Sequence, residues 1–125
     1  MEKTIIKTEK SPAAIGPYNQ GTVVNGFLFT SGQLPINPVT GIVPSTIEEQ
    51  TVQVLENLKA IIEAAGSSMD KVLKCTVYIT NMDDFAVMNE IYATYFTGNP
   101  PARATVEISK LAKNALVEID AIAFV

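Results

Sequence analysis

STIEEQTVQVLENLKAIIEAAG, residues 45–66, is followed closely by VLKCTVYIT, residues 72–80. In the first segment Ile47, Val54, Leu55, Leu58, Ile61, Ile62 and Ala65 recur at helical spacing, so one face is apolar. Ser45 with Glu48 reads as a capping box, and Gly66 as the left-handed stop. In the second segment the period drops to two: Leu73, Cys75, Val77 and Ile79 alternate with Lys74, Thr76, Tyr78 and Thr80. That is a strand with one buried face. A helix feeding a half-buried strand predicts a sheet with a helical layer on one side.

The same pattern extends in both directions. Downstream, a second helix starts near Asn81 to Asp83 and carries Phe85, Met88, Ile91, Tyr92, Tyr95 and Phe96, before Gly98 and Pro100-Pro101 end it. Two strands close the chain, Arg103 to Ser109 and Leu116 to Phe124, joined by KLAKNA. Upstream, KTIIKT (3–8) reads as a short strand and SPAAIGPYNQG (11–21) as a loop. TVVNGFLFT (22–30) reads as a hairpin turning at Asn25-Gly26, where both residues tolerate positive φ. GQLPINPVTGIVP (32–44) is a second loop. The order β-β-β-α-β-α-β-β predicts a single α+β domain over 1–125, a sheet with both helices on one face. Alternation places Val117, Ile119, Ala121 and Ala123 toward the helices, and Ala104, Val106 and Ile108 likewise. That leaves Arg103, Thr105, Glu107 and Glu118 on the reverse, with Ile122 and Phe124 among them. A face that mixes these residues suits an oligomer interface better than plain solvent.

Composition narrows the chemistry. The 125 residues carry a net charge of −4 and no histidine. An acidic chain with scattered lysines does not suit a phosphate backbone, so no nucleic acid is expected. No apolar run is long enough to span a membrane, and the charged N-terminus does not read as a secretory signal, so a cytoplasmic protein is expected. Without imidazole there is no Ser-His-Asp or Cys-His nucleophile. One cysteine makes neither a zinc cluster nor an internal disulfide, and Cys75 falls on the apolar side of its strand. The usual Gly-rich phosphate motifs are also missing.

Arg103 is the only arginine; the other eight basic residues are lysine. A guanidinium offers a planar fork that grips a carboxylate by two parallel hydrogen bonds. By parity Glu118 shares its sheet face, and two readings stand: a salt bridge between them, or a carboxylate clamp beside a general base that orients water. Asn89 lies at the edge of the second helix's apolar stripe, either as a boundary residue or reaching a pocket. Tyr18 either pins its loop or lines a site. Ser31-Gly32 is an ordinary turn or a place of close backbone approach. Asp83 and Asp84 read as helix-start residues rather than metal ligands.

Taken together, the segments AAIGPYNQG, FTSGQLPINPVTG, AIIEAAGSS, KCTVYITNMDDFAVMNEIYATYF and PPARATVEISKLAKNALVEIDAIA resemble the YjgF/RidA family of reactive intermediate deaminases over essentially the whole chain. The resemblance implies a chorismate-mutase-like α+β fold and a homotrimer packed around a central barrel, with active sites between subunits. It implies hydrolysis of 2-imino acids, such as 2-iminobutanoate and 2-iminopropanoate, to 2-oxo acids and ammonia. These substrates come from pyridoxal-phosphate enzymes, and the hydrolysis uses no cofactor. Arg103 would hold the substrate carboxylate, helped by the Thr105 backbone N–H. Glu118 would hold the attacking water, and Tyr18, Ser31, Gly32 and Asn89 would shape the pocket. This chain reads ARAT where many members read ARSC, so Thr105 replaces a frequent cysteine. The family also includes members described as ligand binders, regulators or translation inhibitors. A non-catalytic binder of small 2-oxo acids would use the same arginine.

Overall fold

The computed structural model describes residues 1–125. Six strands form one mixed sheet: β1 (Thr4–Ile6), β2 (Gly21–Val24), β3 (Phe27–Thr30), β4 (Val72–Ile79), β5 (Ala102–Glu107) and β6 (Val117–Phe124). The spatial order is β1-β2-β3-β6-β4-β5, with β4 and β5 parallel and every other pair antiparallel. Two helices, α1 (Ile47–Ala64) and α2 (Phe85–Tyr95), cover one face. The expected order of elements and the α+β layering hold. No helix is long and apolar enough to cross a membrane.

The core lies between sheet and helices, where Val54, Leu55, Leu58, Ile61 and Ile62 of α1 meet Leu28, Cys75, Val77, Ile79, Val117 and Ile119. Burial of this apolar surface is the main stabilising term. The β2–β3 hairpin turns at Asn25 and Gly26, whose φ values of 53° and 80° are those of the tight turn the Asn-Gly pair predicts. Helix α1 ends as its glycine predicts: Gly66 is left-handed at φ 83°, and Ser67 N–H returns to the Ile62 carbonyl. Its N-terminal cap is one residue later than expected. Thr46, not Ser45, accepts from the Glu49 N–H, at 3.2 Å, and its hydroxyl also meets the Glu49 carboxylate. Both registers satisfy the Ser/Thr-x-x-Glu pattern, so the pattern alone could not choose between them.

Four other boundaries move. β1 is shorter than KTIIKT, and both closing strands are shorter than read. Residues 82–84 form a separate 3₁₀ turn before α2, with the Asn81 side chain accepting from Asp83 N–H. Leu73, read as core, is 43% exposed because the β4–β6 register shifts between Val72 and Lys74. The irregularity buries Val72 in its place.

The largest correction concerns β5. It does not lie beside β6, since β4 stands between them. In the parallel register Arg103 is opposite Cys75 and Thr105 opposite Val77, both core residues, so Arg103 and Thr105 point toward the helices. Ala104 and Val106, read as helix-facing, lie on the open face, Val106 42% exposed. The inference from apolarity failed because this open face is itself apolar in part. It carries Phe27, Phe29 and Phe124 at similar exposure, with Ile122 opposite Phe29.

Candidate active site

The proposed site residues fall into two groups on opposite faces of the sheet. The first surrounds Arg103. β5 is an edge strand, and the Pro100-Pro101 pair fixes the chain just before it. Arg103 then meets one face of α2. Its Nη1 donates to Asn89 Oδ1 at 2.7 Å. Its Cζ lies 4.8 Å from the Tyr92 ring centre and 5.4 Å from that of Phe85, both within cation–π range. Residues 85, 89 and 92 share a helical face because their spacing is i, i+4, i+7. A small cavity of about 320 Å3 opens here, lined by Asn89, Tyr92, Ala93, Phe96, Pro100, Pro101 and Arg103. Thr105 sits two residues along, its hydroxyl buried and without a hydrogen-bond partner. Cys75, beneath the arginine, is fully buried, and burial pushes its thiol up to about 11. It is an inert core thiol, as its place in the strand suggested.

The second group surrounds Glu118, on the open face of β6. Gly32 packs directly on its carboxylate: a Cβ at Gly32 would lie 2.6 Å from Glu118 Oε2. Ser31 fixes this turn to the preceding loop. Its N–H donates to the Gln20 carbonyl at 2.9 Å and its hydroxyl to the Asn19 carbonyl at 2.5 Å. Tyr18 adjoins that contact, half-exposed, with its hydroxyl accepting from Ile15 N–H at 3.3 Å. Turn and strand thus bring Ser31, Gly32 and Glu118 into one neighbourhood, while the contacts of Tyr18 lie within its own loop, at Ile15 and Gly16. Glu118 is opposite Tyr78, and Asp120 opposite Thr76, with Tyr78 Oη donating weakly to Asp120 at 3.5 Å. Partial burial, then the nearby Asp120 charge, raises the proton affinity of Glu118 above the ordinary carboxylate value. Burial raises that of Asp120 too, against lowering contacts from Thr76, Tyr78 and Lys74.

Arg103 and Glu118 therefore do not form the salt bridge that a shared face would allow. They point to opposite faces, with β4 between their strands. Asn89 reaches the arginine directly, so the boundary reading gives way to the polar one. Phe85 and Tyr92, read only as core, also support the arginine, and Asp120 stands beside Glu118. The available signals were the i, i+4, i+7 spacing around Asn89 and the two-residue spacing of the carboxylates along β6. No group of three or more Asp, Glu or Cys side chains is placed to hold a metal ion.

The molecule is thus an α+β protein that presents a guanidinium on one sheet face and a partly buried carboxylate on the other. It belongs to the YjgF/RidA family: residues 8–125 match the family described as Endoribonuclease L-PSP. The chain is 55% identical over 123 residues to a RutC family protein of Pyrococcus horikoshii, covering 98% of each. It is 47% identical over 126 residues to a 2-iminobutanoate/2-iminopropanoate deaminase of Escherichia coli, again covering 98% of each. The crystal structure of YyfA of Yersinia pestis, a Rid family protein of unknown function, superposes with a TM-score of 0.97 at 51% identity. That superposition covers 99% of this chain and 100% of the other.

Proposed function

We propose that this protein hydrolyses 2-imino acids of the 2-iminobutanoate and 2-iminopropanoate type to 2-oxo acids and ammonia. The observation that carries the reading is a lone arginine held by Asn89 and two rings, in a chain similar over its length to a deaminase of that name. Arg103 takes the substrate carboxylate through two parallel hydrogen bonds, aided by backbone N–H at Thr105. Glu118 accepts a proton from water as the water oxygen bonds to the iminium carbon. Glu118 returns that proton to the nitrogen of the tetrahedral adduct, ammonia leaves with the bonding pair, and the hydroxyl proton passes to the carboxylate or to solvent. The carbon–nitrogen bond breaks, the carbonyl forms, and no oxidation occurs. The iminium carbon is already electrophilic, so the reaction needs orientation and a base rather than a cofactor.

Arg103 and Glu118 act on one substrate only if they come from different copies of the chain. We infer a homotrimer in which the partly apolar open faces pack around a central barrel, and each cleft joins the Arg103 group of one subunit to the Glu118 group of its neighbour. Phe27, Phe29, Val106 and Phe124 support burial of that face. The test generates 2-iminobutanoate in situ with a threonine dehydratase, adds semicarbazide as competing trap, and measures 2-oxobutanoate. Wild type preserves 2-oxobutanoate, while Arg103→Ala and Glu118→Gln behave like no addition. Unfolding and refolding the two variants together then restores about a quarter of the sites, as random closure of a ring of shared sites requires. Wild type indistinguishable from the blank refutes the deaminase reading and leaves a 2-oxo acid binder. No recovery on mixing, with each variant folded, refutes the shared site.

A further inference from the structure

Arg103 is the only arginine, and its guanidinium does not hang free. One face of α2 supplies its hydrogen bond and both its ring contacts: Phe85 at 5.4 Å, Asn89 at 2.7 Å and Tyr92 at 4.8 Å. The three positions follow i, i+4, i+7, so a single rigid element determines where the cation sits. The helix is anchored by Met88 and Tyr92, both buried in the main core. Asn89 Oδ1 accepts one N–H, and the guanidinium carbon lies over both rings. No carboxylate pairs with the guanidinium, so its remaining donors stay available.

Tyr92 shows which part of the side chain matters. It is 4% exposed, and its hydroxyl is buried toward the Cys75 thiol, a weak acceptor, with no stronger partner. A hydroxyl so placed adds little stability. What the site takes from this residue is the ring, which lies under the guanidinium and stacks at 4.6 Å, tilted by 42°, on Phe96. Phe96 also lines the cavity beside Arg103.

We propose that Tyr92 and Phe85 are positioning residues: with Asn89 they form an aromatic–amide cradle that holds the Arg103 fork in one plane before a ligand carboxylate arrives. This deepens the deaminase reading and rests on it for substrate, but the cradle is built from groups of the chain itself. Its role is to remove the rotational freedom that a long side chain would otherwise lose on binding. A lysine at position 103 would still be attracted to the rings, but an ammonium has no plane for the cradle to align.

The lone arginine makes the test direct. In protein labelled with nitrogen-15, the Nε–Hε region of an NMR spectrum contains one side-chain signal, that of Arg103. We expect this signal in the ligand-free wild type to be displaced by the rings and to relax like rigid backbone. Tyr92→Leu removes the ring and keeps apolar volume. Its Nε signal should move toward the free-arginine position and gain fast motion, and 2-oxobutanoate should bind roughly fivefold to thirtyfold more weakly. Tyr92→Phe keeps the ring and should match wild type in both readouts. Phe85→Leu, at a half-buried position, should show a smaller change in the same direction and serves if Tyr92→Leu does not fold. An Nε signal in folded Tyr92→Leu or Phe85→Leu as ordered as in wild type, with unchanged affinity, overturns the proposal. The relaxation measurement needs no imine turnover, so failure of the cradle and failure of the deaminase reading are separate results.

Discussion

Gly32→Ala is the sharpest perturbation available at the Glu118 half of the site. The backbone at Gly32 is not in the left-handed region, so alanine introduces no conformational strain. The only consequence is steric. The new Cβ would sit 2.6 Å from Glu118 Oε2, 2.8 Å from Cδ and 3.2 Å from Cγ, where ordinary contact begins near 3.4 Å. The carboxylate must therefore retreat by about 0.6–0.8 Å, the shortfall at Cδ and Oε2. It is the far end of a half-exposed side chain, so the fold yields easily and stability should change by less than about 1 kcal/mol. A base that must orient water is less forgiving: a misplacement approaching 1 Å costs roughly tenfold to a hundredfold in rate, or about 1.4–2.7 kcal/mol in the barrier. The assay is 2-oxobutanoate release under semicarbazide competition, with thermal unfolding measured in parallel. Gly98→Ala is the control, since nothing lies within 4 Å of its Cβ. If Gly32→Ala unfolds like wild type and keeps full kcat/KM, then close packing of Gly32 on Glu118 has no catalytic meaning.

Two further outcomes test the structure by other routes. Glu118 binds its proton more tightly in the folded chain than its ordinary value of 4.5 implies, with burial the main cause. Its favourable contribution is therefore present in acid and is lost as pH rises through the raised value, so the ionised form opposes folding. Glu118→Gln should raise the unfolding midpoint by about 1–3 °C at pH 7, after discounting for solvent around a half-exposed group, and the difference should close near pH 4. A lowered midpoint at pH 7 would contradict the assigned direction. Asn57 is 1% exposed, and its amide donates to the Leu34 and Ile36 carbonyls at 3.0 and 2.9 Å, fastening the loop before α1. Asn57→Leu should cost about 2–4 kcal/mol in urea unfolding, because two carbonyls lose their donor. An unchanged midpoint would show that the loop finds other partners.

What the sequence revealed follows from which physical signal each element carries. α1, the Asn25-Gly26 hairpin and the Gly66 stop rest on local rules, helical period and positive φ, and these appeared where expected. Ser45 and Thr46 both satisfy the capping pattern, so only packing decides between them. Leu73 failed because a register shift between strands has no single-strand signature. β5 failed for a deeper reason. Alternation tells which residues share a face but not which face is the core, and ARATVE has apolar residues on one side and an arginine on the other. The ordinary choice buries the alanine and valine. Here the arginine takes the helix side, since α2 offers rings and an amide that satisfy a guanidinium without immersing it in hydrocarbon.

That inversion changes what the site means. With Arg103 and Glu118 on one face, the chain would neutralise its own arginine, and the fork would already be occupied. A carboxylate arriving from solution would have to displace Glu118. By turning β5 over and inserting β4 between the two groups, the fold keeps the guanidinium unpaired and Glu118 free of a cation that would lower its proton affinity. A base needs the second condition and a carboxylate clamp needs the first. Separation within one chain meets both and, on the reading proposed, the substrate comes between the two groups where chains meet, its carboxylate in the fork and its imine carbon toward Glu118.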